Sequence, residues 1–316
     1  MAAGLSAPAP AEISRPAPDL MLGPGRRYWK DRLVRQLLFI ATFSSVAVTT
    51  GIVAVLLFDS IPFFQHVSLR NFLTDTLWTP TFDQPHFGIL SLVLGTVVTT
   101  AVALAVALPV GTMIAIYLSE YAPFALREIL KPILELLSAV PTVVYGYFAL
   151  LFVTPLLQKV WPALPMQSML SAGIVMGIMI IPYVSSLSED AMRAVPMLLR
   201  EGAYALGANK MITSIRVVYP AALSGIGAAY ILGISRAIGE TMIVAIAAST
   251  QSNFTYNPAE PAATITASIV QVTMGDQPRG SIGYQSVFAA GLTLFLMTLG
   301  FNILGHMLRK RFREAY

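Results

Sequence analysis

Six stretches of this chain are apolar over enough residues to cross a lipid bilayer, and no soluble fold could bury them all. They run over about 33–58, 88–118, 132–157, 168–187, 221–247 and 286–308, and a membrane helix needs about 20 mostly apolar residues. Composition agrees: 56% of the 316 residues are hydrophobic and 11% are charged, whereas a soluble domain carries roughly 25% charged residues. No strand-type alternation runs through these stretches, which excludes a β-barrel. The fold class is therefore all-α integral membrane, with six transmembrane helices. The second stretch is overlong and contains Pro109 in "LPVG" (108–111), so a bend or an end of the helix is expected there. The chain has no cysteine, which excludes disulfides, thiolate catalysis and cysteine metal sites.

Lysine and arginine set the direction of insertion. The N-terminal segment carries Arg15, Arg26, Arg27, Lys30, Arg32 and Arg35, and the C-terminus carries Arg309, Lys310, Arg311 and Arg313. Segment 119–131 adds Arg127 and Lys131, and segment 188–220 adds Arg193, Arg200, Lys210 and Arg216. The other three loops hold one each, Arg70, Lys159 and Arg279. Both termini are thus expected in the cytoplasm, and the basic excess is explained without nucleic acid. The organisation expected is a Pro/Ala-rich disordered tail over 1–25, then a basic juxtamembrane segment with the first span and an outer loop over 26–87. A five-span core follows over 88–308, and a basic cytoplasmic tail closes the chain over 309–316.

The longest cytoplasmic connection, "SEDAMRAVPMLLREGAYALGANKMITSIRVVYP" (188–220), contains a short amphipathic helix. Pro196 suits its first turn and Gly207 its end. Leu199, Ala203 and Leu206 are expected on one face, with Arg200 and Glu201 off it. Such a helix either lies flat on lipid or plugs a groove of another protein. Read as E-G-A-Y-A-L-G, nine residues, then V-V-Y-P, the stretch resembles the EAA signature of ABC importer permeases. Glu201, Ala203, Gly207, Val217, Tyr219 and Pro220 fill the signature's places, while Gly202 stands for its second residue, usually alanine. The resemblance implies a coupling helix that docks into an ATPase, with Arg200, Glu201, Ala203, Leu206 and Gly207 as the coupling residues.

The likeness extends along the chain after residue 26. "FGILSLVLGTVVTT" (87–100), "LKPILELLSAVPTVVYGYFAL" (130–150), "SRAIGETM" (235–242) and "TITASI…FAAGLTLFLMTLGFNIL" (264–304) are similar to the PstC-type permease subunits of bacterial phosphate importers. These are MetI-like proteins with the type I ABC importer fold. The resemblance implies a bacterial inner-membrane permease that moves inorganic phosphate inward. Its implied partners are a PstA-type second permease, a PstB-type ATPase dimer and a PstS-type phosphate-binding protein. The chain has no G-x-x-x-x-G-K-[ST] loop to cradle ATP, so ATP and Mg belong to the partner ATPase, and this chain itself is no enzyme.

Within the fifth stretch, "ILGISRAIGET" (231–241) places Arg236 and Glu240 deep in the membrane. At 1.5 Å per residue Arg236 lies about 22 Å into the stretch, where an arginine costs roughly 2.5–3.5 kcal/mol on the insertion scale. In a continuous helix the two side chains share a face. They either neutralise each other inside the bundle or line a path for an anion, which a guanidinium fork fits and a carboxylate flanks. The phosphate-importer resemblance favours the path. Glu135 and Ser138, at the start of the third stretch, and Thr142, after Pro141, are further candidates for lining it. Tyr145 and Gly146 read as packing, and His66, His86 and His306 as surface or interface residues. The competing classes are a permease for sulfate, molybdate or tungstate, an ion-gradient-driven anion transporter, and an intramembrane enzyme. The docking helix argues against the transporter, and the lack of G-x-S-x-G or paired membrane aspartates argues against the enzyme.

Overall fold

The computed structural model describes residues 24–311 except Asp83 and Asp276, with the side chains of residues 24–30, 308, 309 and 311 left aside. It divides into a unit ending at Ala54 and a unit starting at Val55. The first unit is the N-terminal part of helix α1 (Pro24–His66), whose described side chains up to residue 50 are all exposed, including Leu38, Phe39 and Phe43. Such a surface needs lipid around it. The tail expected over 1–25 lies outside the described residues except for its last two, which open α1; residues 309–311 continue the last helix, and the end of the C-terminal tail lies outside.

From Val55 onward the elements are α2 (Leu69–Thr74), α3 (Leu90–Ile116), α4 (Phe124–Ala139), α5 (Thr142–Phe148), α6 (Thr154–Val160), α7 (Met169–Arg193) and α8 (Met197–Ala205). Then follow α9 (Lys210–Thr213), α10 (Tyr219–Ala221), α11 (Leu223–Ile238), α12 (Met242–Ala247), α13 (Ile265–Met274) and α14 (Ile282–Arg311). Among the described residues, five helical stretches are long and apolar enough to cross a membrane: Asp31–His66, Leu90–Tyr121, Thr142–Val160, Met169–Arg193 and Ile282–Met307. A bent pair, Lys210–Ala221 with Leu223–Ile238 at 71°, supplies a sixth.

Three of the six expected stretches are built differently from a single plain helix. α3 runs through Pro109 and passes into one π-helical turn, Tyr117–Tyr121, so of the bend or end expected at "LPVG" the end does not occur. In an apolar setting water does not compete for backbone groups, and one lost hydrogen bond does not end a helix. The third stretch is cut at Val140 and Pro141, both extended with ψ of 130° and 134°. A proline pushes the residue before it out of the helical region, so α4 ends there and the crossing begins at Thr142. The fifth stretch is interrupted at Gly239–Thr241, between α11 and α12.

α7 is the axis of the second unit, with Ala172, Val175, Met176, Ile180 and Val184 fully buried. Its glycines let α3 come close: a Cβ on Gly173 would stand 2.7 Å from Val102, and one on Gly177 would stand 2.7 Å from the Ala103 carbonyl oxygen. Close backbone approach at small residues is how membrane helices gain packing where no hydrophobic drive exists between them. Between the end of α1 and the start of α3, Phe63, Phe72, Trp78 and Phe87 meet edge to face, with centroids 5.2–6.4 Å apart. Gly177→Ala forces backbone apart and is expected to cost roughly 1–3 kcal/mol, as overpacking does. Its thermal unfolding midpoint in detergent should fall, whereas Gly202→Ala on α8, with nothing within 4 Å, should leave the midpoint unchanged or raise it slightly.

Candidate functional site

Arg236 and Glu240 do not pair. Arg236 stands in the last turn of α11, where the carbonyl ends of the helix favour a cation. Its guanidinium carbon lies 4.5 Å from the centroid of the Tyr183 ring on α7. Its Nε is buried without a hydrogen-bond partner, and among the described residues no carboxylate forms an ion pair with it. Glu240, 8% exposed, turns to the other helix: Oε1 accepts from the amides of Met242 and Ile243, at 3.2 and 3.5 Å, in the first turn of α12. Its backbone carbonyl accepts from Thr266 Oγ1 of α13 at 2.7 Å. The shared face expected from the spacing of four requires a continuous helix, and the break at Gly239 removes it.

Of the other path candidates, Thr142 is half-buried at the start of α5. This helix packs on α12 through Gly146, where a Cβ would stand 2.8 Å from Ile246 and 3.2 Å from the Met242 carbonyl. Thr142 thus belongs to the helix that flanks the break. Glu135 and Ser138 lie on α4, ahead of the crossing helix. Glu135 is exposed, Ser138 Oγ donates to the Glu135 carbonyl at 2.7 Å, and neither side chain hydrogen-bonds to Arg236, Glu240 or Thr142. Tyr145 OH donates to the Leu137 carbonyl at 2.8 Å and staples α5 to α4 across the proline break.

α8 has the boundaries expected for the loop helix. Pro196 precedes it in extended conformation and Gly207 ends it with φ +83°. The Gly207 amide donates to the Tyr204 carbonyl at 2.9 Å and the Ala208 amide to the Ala203 carbonyl at 3.0 Å, the pairing of a glycine-capped helix end. The expected single stripe is not observed. Leu199 packs inward beside Met192, Val195 and Val218, and Ala203 is half-buried. Leu206 has left the helix as its C-cap and is 91% exposed, as Leu198 is at 77%. Glu201 is exposed, but Arg200 is 8% exposed and faces the helix bundle. Its fork donates to both oxygens of Glu120, at 2.9 and 3.4 Å, and to the carbonyls of Val195 and Met192, at 2.7 and 2.8 Å. Arg200 ties α8 to the π-helical turn after α3 and to the end of α7.

A second charged hub holds α4. Glu189 of α7 is fully buried and takes Arg127 Nε of α4, with Lys131 Nζ at 3.6 Å and Arg193 at 3.8 Å. Lys131 also donates to Asp190 at 3.0 Å. α4 has no fully buried residue, Leu126, Leu130 and Leu134 being half-buried, and these ionic contacts add fixed joints to α7.

The family model described as "Binding-protein-dependent transport system inner membrane component" matches residues 107–314, which include the break, α8 and both hubs. The chain belongs to this family. A probable ABC transporter permease protein of Bacillus subtilis, YqgH, is 33% identical to the permease over 245 residues, 78% of this chain and 79% of the relative. The phosphate transport system permease protein PstC of Haemophilus influenzae is 28% identical over 318 residues, covering 93% and 99%. That of Mesorhizobium japonicum is 31% identical over 247 residues, covering 72% and 74%. Among solved structures, a bacterial alginate ABC transporter chain superposes with TM-score 0.62 at 16% identity, over 92% of this chain and 100% of that one. A chain of the MetNI methionine ABC transporter does so with TM-score 0.53 at 18% identity.

Sequence reasoning missed three residues of the permease's site region. Glu189 had a signal, a carboxylate four residues before Arg193 on a helix. Glu120 and Tyr183 had none, because their partners lie 80 and 53 positions away in the chain. Around Glu189, burial alone would lower the Lys131 pKa; the hydrogen bond to Asp190 and the charges of Glu189 and Asp190 outweigh it and hold the group above its ordinary 10.5. A raised pKa gives stability that is present below the unfolded value and lost as pH rises through the folded one. Lys131→Met should therefore cost roughly 1 kcal/mol at any pH well below 10.5. Its deficit in thermal midpoint against the parent should close only above that value.

Proposed function

We propose that this permease is the membrane-spanning subunit of an ATP-driven importer that moves inorganic phosphate into the cytoplasm. Support for the substrate comes from the PstC relatives, and the observation that carries the mechanism is Arg236. Among the described residues this intramembrane cation pairs with no carboxylate, and it is held by an aromatic face. A guanidinium seated on a ring keeps its planar donors free for a bidentate oxyanion, and a tyrosine face attracts the cation without cancelling its charge. Arg236 meets the passing anion, Tyr183 aims it, Glu240 fixes the break, and Thr142 lines the adjoining wall. Glu135 and Ser138 contribute polar groups on the approach along α4.

The exposed side of α8, with Glu201 and Leu206 and the glycine cap at Gly207, docks into a PstB-type ATPase, which holds ATP and Mg. Arg200 acts behind it as a positioning residue, and Ala203 lets α8 lie close to the bundle. A PstA-type second permease and a PstS-type binding protein complete the assembly in the bacterial inner membrane. Both termini are cytoplasmic, and residues 88–308 form the permease core.

Proteoliposomes holding this chain with the partner subunits and loaded binding protein provide the test. ATP-dependent uptake of phosphate but not of sulfate is expected, and sulfate uptake at an equal rate would exclude the substrate assignment. Arg236→Leu should insert normally and lose at least roughly tenfold in uptake, about 1.4 kcal/mol or more of binding in the path. Arg236→Lys should also be poor, since a point charge lacks the fork. Near-normal uptake by the leucine variant would leave Arg236 a structural residue.

Docking is tested separately. Gly207→Pro cannot adopt φ +83°, and Glu201→Lys reverses the charge of the exposed face. Both variants should be present in the membrane at parental levels yet fail to show ATPase stimulation by loaded binding protein. Full stimulation in both would sink the docking assignment.

A further inference from the structure

Beside α8, on the flank away from Leu198, lies a cavity of about 450 Å³ walled by the turn after α3, the start of α4, the end of α7, α8 and Lys210. Four cations line it, Arg127, Arg193, Arg200 and Lys210, with Phe124 and Tyr204 among the other walls. Two of the four are anchored internally, Arg127 through its Nε and Arg200 through its whole fork. Arg127 is held by buried Glu189, and the fork of Arg200 is filled by Glu120 and two carbonyls. Glu120 is the wall's carboxylate, and both its oxygens are occupied by Arg200, with Ser119 on one of them.

The other two cations keep their donors. Arg193 reaches Glu189 only at 3.8 Å and is 45% exposed. Lys210 Nζ lies 5.1 Å from the Tyr121 ring centroid and forms no ion pair among the described residues. Two available cations therefore face a cavity large enough for a small ligand, with exposed Phe124 and Met197 at its edge.

We propose that this cavity binds a phosphate group, and that the phosphodiester headgroup of an anionic membrane lipid is its occupant. Arg193 and Lys210 hold the phosphate oxygens by charge-assisted hydrogen bonds, and the apolar edge accepts the start of the acyl chains. Basic pockets between membrane helices on the cytoplasmic side suit such headgroups, and the orientation proposed above puts this one there. The lipid would bridge α4, α7 and the α9 segment, and so join the two separately attached helices α4 and α8. The site is separate from Arg236, so its test does not depend on which anion the permease transports.

The full chain is reconstituted in nanodiscs of equal phosphatidylcholine and phosphatidylglycerol, and the lipids it retains are counted by native mass spectrometry. The parent should retain phosphatidylglycerol preferentially. The preference should fall roughly tenfold in the Arg193→Gln/Lys210→Gln double variant and survive in Arg193→Lys/Lys210→Arg, which keeps the charges if the neutral variant folds poorly. Inorganic phosphate added to the parent distinguishes the sources. Retention unaffected by it supports the lipid, whereas displacement at millimolar phosphate supports the same pocket filled by the free anion. No preference in the parent, or an equal preference in the neutral double variant, overturns the proposal.

Discussion

The structure turns on two helix ends that meet at Gly239–Thr241. There the carbonyl terminus of α11 faces the amide terminus of α12, and each end takes the charge that suits its dipole, Arg236 on the first and Glu240 on the second. Two ions inside a membrane are thereby tolerated without an ion pair between them. Had the helix continued, the same residues would have met at i,i+4 and cancelled. The break separates them, and α13 fixes it by donating from Thr266 to the Glu240 carbonyl.

The same economy holds at the opposite end of α7. That helix is packed tightly enough on α3, through Gly173 and Gly177, for the pair to act as one body. α8 and α4 are then attached to the body by charge: Arg200 joins α8 to it and Glu189 joins α4. Buried charge pairs add little net stability but fail badly when one partner is removed. They suit joints that must keep a fixed geometry while adjoining surfaces move.

Much of this was legible in the sequence, for reasons that can be named. The spans follow from run length, and α8 follows from Pro196 and Gly207, whose backbone preferences are intrinsic. The apolar run across Pro141 concealed that α4 and α5 are two helices, although a proline at that place disfavours a continuous one. What could not be read was decided by tertiary contact. Gly239 looks like any small membrane residue until Glu240 is seen capping α12, and the EAA spacing does not reveal that Arg200 turns inward to Glu120. Tyr183 sits in a run of apolar and small residues and has no local signature. Leu206 was misplaced because a helical wheel assumes a helix that had already ended at Ala205.

The seat of Arg236 on Tyr183 has a consequence for which side chains could replace the tyrosine. A guanidinium keeps its charge across the physiological range, and the attraction of an aromatic face arises from the ring quadrupole and requires no ionisation. The contact therefore depends on the ring and not on its hydroxyl: a phenyl group in place of Tyr183 would hold the guanidinium in the same way, whereas an aliphatic side chain would remove the seat altogether.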